Sequence, residues 1–133
     1  MITPVRNPQH ETVKALGDLP KGEGSKLIVT ATPYDAKSEQ AAFDVVKELK
    51  EKHGITHIDI VLANAGGGLI YPSVLEVKRS DIHEHMELNV YSVVTLYQAT
   101  HDLLKASASG AQFAIMGSSA GSLGYVEIIA SPE

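Results

Sequence analysis

Short apolar runs in this chain take turns with longer stretches whose apolar residues recur at helical spacing, and that alternation limits the possible folds more than any other feature. Ile2 to Val5 reads as a short strand, closed by the turn signal Asn7-Pro8. Pro8 to Leu19 sets Val13, Leu16 and Leu19 at helical spacing, and Pro20 ends the segment. Lys26 to Thr30 (KLIVT) reads as a second strand. Ala36 to His53 then carries Ala42, Val45, Val46 and Leu49 on one helical face, with Gly54 as its C-terminal cap. Ile58 to Ala63 (IDIVLA) is almost wholly apolar, as a strand covered on both faces would be. Ser80 to Ala106 forms a long helix with Ile82, Met86, Val90, Val93 and Tyr97 along one stripe. Gly110 follows it, and Ala111 to Met116 is a fourth, buried strand. From Gly117 onward, through Gly121 and Gly124, no clear period emerges.

Strand and helix alternating in this way predict right-handed crossovers and a parallel sheet covered by helices on both faces. The expected fold class is α/β: a three-layer, Rossmann-like parallel sheet of about four strands and three helices in one domain, residues 1–133. With 44% hydrophobic and 20% charged residues, the composition is that of a globular chain. Eleven Lys and Arg against 16 Asp and Glu give a net charge of −5, which argues against a nucleic-acid partner. No run approaches the roughly 18 apolar residues of a membrane span, and the first twenty residues hold no apolar signal core. The absence of cysteine excludes disulfides, Cys-ligated zinc and thiol catalysis, and fits a cytoplasmic setting.

Open parallel sheets bind ligands outside the carboxyl ends of their strands. Three segments fall at such ends: Arg6; Asn64-Ala65-Gly66, followed by Gly67 and Gly68; and Gly117-Ser118-Ser119-Ala120-Gly121. Asn89 adds a fourth point, because asparagine is a poor helix former and its place inside the long helix needs a reason. Each has an ordinary explanation: a solvated cation for Arg6, a plain turn for Asn64-Ala65-Gly66 and a solvent-facing amide for Asn89. Their joint order and position point to a site. Gly117 to Gly121 also fits Gly-x-Ser-x-Gly with Ser119 as nucleophile, but that motif must open a helix and needs an acid and a histidine downstream. The last histidine is His101. His83 and His85 are two residues apart and His53 and His57 straddle Gly54, so solvated or packing roles account for all six histidines and no metal site is expected.

Asn64-Ala65-Gly66, Asn89 within LNVYSVVTLYQA, and GSSAG from Gly117 together resemble the short-chain dehydrogenase/reductase family. The opening VRNPQHETVKAL and LPKGEGSKLIV are more particularly similar to its fungal norsolorinic acid ketoreductase-like branch. The resemblance implies NADP-dependent transfer of hydride between a small-molecule ketone and its alcohol. It assigns Ser118 to the substrate oxygen, with Ser119 as fallback, and Asn89 to the anchoring of a proton-relay water. It sets Asn64, Ala65 and Gly66 beside the adenosine half of the cofactor, Arg6 at its 2′-phosphate and Asp35 at its adenine, although Pro33-Tyr34 alters the strand end before Asp35.

Two family hallmarks are missing from these residues. The glycine-rich turn belongs after a strand that would precede Ile2, and Lys21 to Lys26 (KGEGSK) cannot replace it because it precedes a strand. The Tyr-x-x-x-Lys pair is also absent: the residue four beyond each tyrosine is Ser38, Leu75, Thr95, His101 or Ile129. The chain therefore reads as truncated at both ends and inactive in isolation. The alternative is a non-enzymatic pseudo-reductase or a self-associating fragment that does not bind a cofactor. A sheet without its central strand is expected either to close up directly or to drive self-association through exposed edges, with part of the Met86, Val90 and Val93 stripe uncovered.

Overall fold

The computed structural model describes residues 1–122. Its elements run β1 (Ile2–Thr3), α1 (Glu11–Lys14) leading into a 3-10 turn (Ala15–Asp18), β2 (Ile28–Val29), α2 (Ala41–His53) and β3 (Ile60–Ala63). There follow α3 (Arg79–Met86), a π-helical turn (Glu87–Tyr91), α4 (Ser92–Lys105), β4 (Gln112–Ile115) and a 3-10 turn (Ser119–Gly121). The α/β alternation is therefore present in the expected order. Gly124 and Tyr125 lie outside the described residues.

The strands are all parallel, but they form two separate pairs among the described residues. Ile2 stands opposite Ile28 and Thr3 opposite Val29. In the second pair, Ile60 stands opposite Gln112 and Ala63 opposite Ile115. The direct joining of β1 to β3, one of the two expected outcomes, does not occur. α2, which lies between β2 and β3 in the chain, packs against α4, and no described strand pairs with both β1 and β3 to join the two ladders.

The core sits between α2 and α4, where Ala42 and Val46 meet Ala99 and Leu103, and Tyr34, Ile55, Ile58 and Leu96 pack around them. Alanine on both helices permits close approach. The C-terminal cap of α2 is Gly54 at φ 63, as its spacing predicts, with its N–H returned to the Leu49 carbonyl. Its start is later than expected: Asp35 to Ser38 forms a turn, with the Asp35 carboxylate taking the Lys37 N–H at 3.0 Å, so helix begins only at Ala41. The first helix shrinks to α1 and its 3-10 turn, which contains Gly17 and leads to Pro20.

Two strand expectations are corrected: β4, read as buried, has Gln112, Ala114 and Ile115 exposed and only Phe113 half-buried, and β3 is not covered on both faces. The apolar run in β3 is covered on one face only: Val61 and Ala63 are buried, whereas Ile60 and Leu62 are 65% and 51% exposed. A continuous apolar run shows that both faces can be covered, not that they are. The buried face of the long helix is made by Ser92, Ala99, Thr100, Leu103 and Leu104, and part of the Met86, Val90 and Val93 stripe is uncovered, as expected. Ile82, Val90 and Tyr97 are exposed. The π turn puts α3 and α4 out of phase, so one stripe drawn through both drifts off the core. No helix among the described residues is long and apolar enough to cross a membrane.

Candidate functional site

The carboxyl ends of β3 and β4 lie side by side. The Met116 N–H donates to the Ala63 carbonyl at 3.0 Å, the last rung before the strands part. One chain leaves as Asn64-Ala65-Gly66-Gly67-Gly68 and the other as Gly117-Ser118-Ser119, all of them exposed. The Ser118 carbonyl accepts from the Gly121 N–H at 3.1 Å, which fixes the turn after β4. Asn64, Ala65, Gly66 and Ser118 thus start from neighbouring strand ends.

Asn89 of the π turn joins the segment that leaves β3. Its Oδ1 accepts from the Gly67 N–H at 2.8 Å, and its Nδ2 donates to the Gly67 carbonyl at 3.0 Å and to the His85 carbonyl at 3.0 Å. The reason for an asparagine in mid-helix is now visible. Its side chain draws the carbonyl four residues back, and Ser92 does the same to Leu88 through its hydroxyl at 2.6 Å. Side chains competing for helix carbonyls favour a local break in the α ladder, and the π turn falls on these residues. Gly66 is needed for the approach, because a Cβ there would stand 3.0 Å from Asn89 Oδ1.

Sequence reasoning missed His85. Its Nε2 accepts from the Leu69 N–H at 3.1 Å, and its Nδ1 lies 2.8 Å from the Asp81 carbonyl. The usable signal was its spacing: His85 is one turn before Asn89, on the same helix face.

Arg6 and Asp35 belong to the other strand pair. The Tyr34 N–H donates to the Val5 carbonyl at 2.9 Å, so Arg6 and Asp35, each one residue further on, leave adjacent strand ends. Both are exposed, and no ion pair among the described residues engages Arg6. Burial, followed by the neighbouring Asp35 charge, raises the Tyr34 hydroxyl above its ordinary range.

Glu48 of α2, also unforeseen, secures the end of β2. Its carboxylate is buried and accepts from the Ala31 N–H at 2.9 Å and the Thr32 N–H at 2.7 Å. Hydrogen bonding from the Thr32 side chain leads the effects that hold its pKa down to about 2, with the two backbone amides and His53 assisting against the opposing effect of burial.

Comparison with known proteins agrees with the fold. Residues 3–130 match the family model described as short chain dehydrogenase. The chain belongs to the short-chain dehydrogenase family. Among curated relatives of this family, the norsolorinic acid ketoreductase of Dothistroma septosporum is 41% identical over 118 residues, covering 88% of this chain and 43% of that protein. The norsolorinic acid ketoreductase of Emericella nidulans is 39% identical over 103 residues, 77% of this chain and 38% of its own length. The chain therefore spans less than half of these relatives. The NADPH-bound carbonyl reductase from chicken fatty liver superposes with a TM-score of 0.79 over 96% of this chain and 52% of that one, at 19% identity, and shares its fold.

Proposed function

We propose that this short-chain dehydrogenase chain forms the adenosine side and the central-helix wall of an NADP-dependent ketoreductase site. The carrying observation is the two-way hydrogen bonding of Asn89 to Gly67, which fixes the segment after Asn64-Ala65-Gly66 beside the strand end that bears Ser118. The donor set suits the cofactor: an exposed guanidinium without a carboxylate partner among the described residues can meet the 2′-phosphate.

A bound nicotinamide cofactor supplies the hydride in this chemistry. The residues here do the holding. Arg6 takes the 2′-phosphate, and Asp35, although engaged with the Lys37 amide, keeps an exposed carboxylate near the adenine. Asn64, Ala65 and Gly66 line the adenosine, and the Ser118 hydroxyl donates to the substrate ketone oxygen. With its side-chain amide committed to Gly67 and His85, Asn89 serves the site mainly by holding this wall. None of the five tyrosines has a lysine four residues on, so no such proton donor is present in these 133 residues. A positioned general acid contributes roughly 10²–10⁴-fold in rate, so turnover by these residues alone is expected to be negligible. The substrate class is a ketone, as the names of the ketoreductase relatives suggest.

Titration with adenosine 2′,5′-bisphosphate, the adenosine half of NADP, tests the proposal by amide NMR. Shifts centred on Arg6, Asp35 and residues 64–67, and weaker with 5′-AMP, support it; shifts elsewhere, or none, refute it. One observation favours a second, non-enzymatic role in self-association: Ile60 and Leu62 are exposed on one face of the β3–β4 pair, with Ala114 opposite Leu62.

A further inference from the structure

Gly66-Gly67-Gly68 has no side chain with which to hold its own backbone, so its path is set from outside. Two helical residues one turn apart provide the contacts. Asn89 pairs with Gly67, and His85 reaches two residues further, to the Leu69 N–H at 3.1 Å. The partners of His85 define its protonation. A carbonyl can only accept, so Nδ1, 2.8 Å from the Asp81 carbonyl, carries the proton. An amide N–H can only donate, so Nε2 presents its lone pair to Leu69. One neutral tautomer satisfies both contacts. Asn89 also donates to the His85 carbonyl, which links the two contacts within a single turn.

We propose that His85 is a positioning residue of the cofactor-facing segment, acting through the Leu69 amide. Its Nε2 sets the exit of the glycine run as Asn89 sets its middle, so residues 66–69 keep one path past the site. The inference rests on the proposed role of Asn64-Ala65-Gly66 beside the adenosine. A merely packing histidine would need neither a specific tautomer nor an acceptor at Nε2.

The test uses three substitutions and two measurements on the unaltered chain. In His85→Gln, Oε1 stands near the place of Nε2 and can accept from Leu69. In His85→Asn, only the Nδ1 position is imitated, and His85→Leu removes both contacts. Leu69 amide exchange is expected to quicken roughly 3- to 10-fold in the Asn and Leu variants, the usual effect of one lost hydrogen bond, and to return toward the original rate in Gln. Affinity for adenosine 2′,5′-bisphosphate should follow the same order. Ring ¹⁵N spectra of the unaltered protein should show Nδ1 protonated and Nε2 bare, a result that does not depend on any variant folding. The opposite tautomer, or unchanged Leu69 exchange in His85→Leu, overturns the clamp. Faster exchange with unchanged ligand affinity overturns the positioning role. If the unaltered chain does not bind the bisphosphate, the cofactor assignment fails, while exchange and ring spectra still decide whether His85 holds the segment.

Discussion

Asn89 engages Gly67 as a neighbouring strand would, accepting its N–H at 2.8 Å and donating to its carbonyl at 3.0 Å. A side-chain amide is a peptide group in miniature. After β3 parts from β4, the departing chain thus receives its next rung from a helix, which lets a glycine run leave the sheet along a defined path.

Asn89→Ala should cost about 1–2 kcal/mol in chemical denaturation, the value of the lost hydrogen bonds after water replaces part of them. Asn89→Asp should be no better. It keeps an acceptor for the Gly67 N–H but turns a charged oxygen toward the Gly67 and His85 carbonyls. An aspartate variant as stable as the original would show that the donor half of the pair is dispensable.

Gly66→Ala should displace the Asn89 amide, since the new Cβ would meet Oδ1 at 3.0 Å. A loss of about 1 kcal/mol is expected from such crowding, and little more when combined with Asn89→Ala, because both changes break one contact. Gly117→Ala, with nothing within 4 Å of its Cβ, is the control and should be nearly neutral. Additive losses for Gly66→Ala and Asn89→Ala in a double-mutant cycle would separate the two residues.

Glu48 predicts an acid-sensitive fold. Its pKa is depressed from 4.5 to about 2, so its stabilising contribution is complete above the unfolded value and is lost as pH falls toward the folded one. Unfolding free energy should therefore decline between about pH 4.5 and 2, and Glu48→Gln should flatten that decline. Denaturation curves at several pH values check this. An identical slope in the variant would assign the acid sensitivity to other carboxylates.

Self-association should depend on the bare face of the β3–β4 pair. Sedimentation is expected to show concentration-dependent association that Leu62→Lys weakens without lowering the thermal midpoint, because Leu62 is 51% exposed. Unchanged association in this variant would move the contact elsewhere.

Much of this architecture was legible in the residues. The alternation of apolar runs and helical stretches located all four strands, Gly54 marked the end of α2, and the mid-helix place of Asn89 asked for a reason, which its contacts to Gly67 and the π turn supply. The rest depended on neighbours that periodicity does not name. IDIVLA carries no information about whether a second layer covers Ile60 and Leu62. Glu48 and His85 looked like ordinary surface residues because their partners are backbone amides 16 or 17 residues away, supplied by the fold. The phase change of the long helix was not legible, because the π turn falls at the residues that carry the site.

The most direct measurement is calorimetric titration of the chain and of Arg6→Ala with adenosine 2′,5′-bisphosphate and 5′-AMP. The account predicts that the chain prefers the bisphosphate and that Arg6→Ala removes the preference while leaving 5′-AMP binding unchanged. Equal affinity for the two nucleotides, or a preference that survives the loss of Arg6, would contradict it.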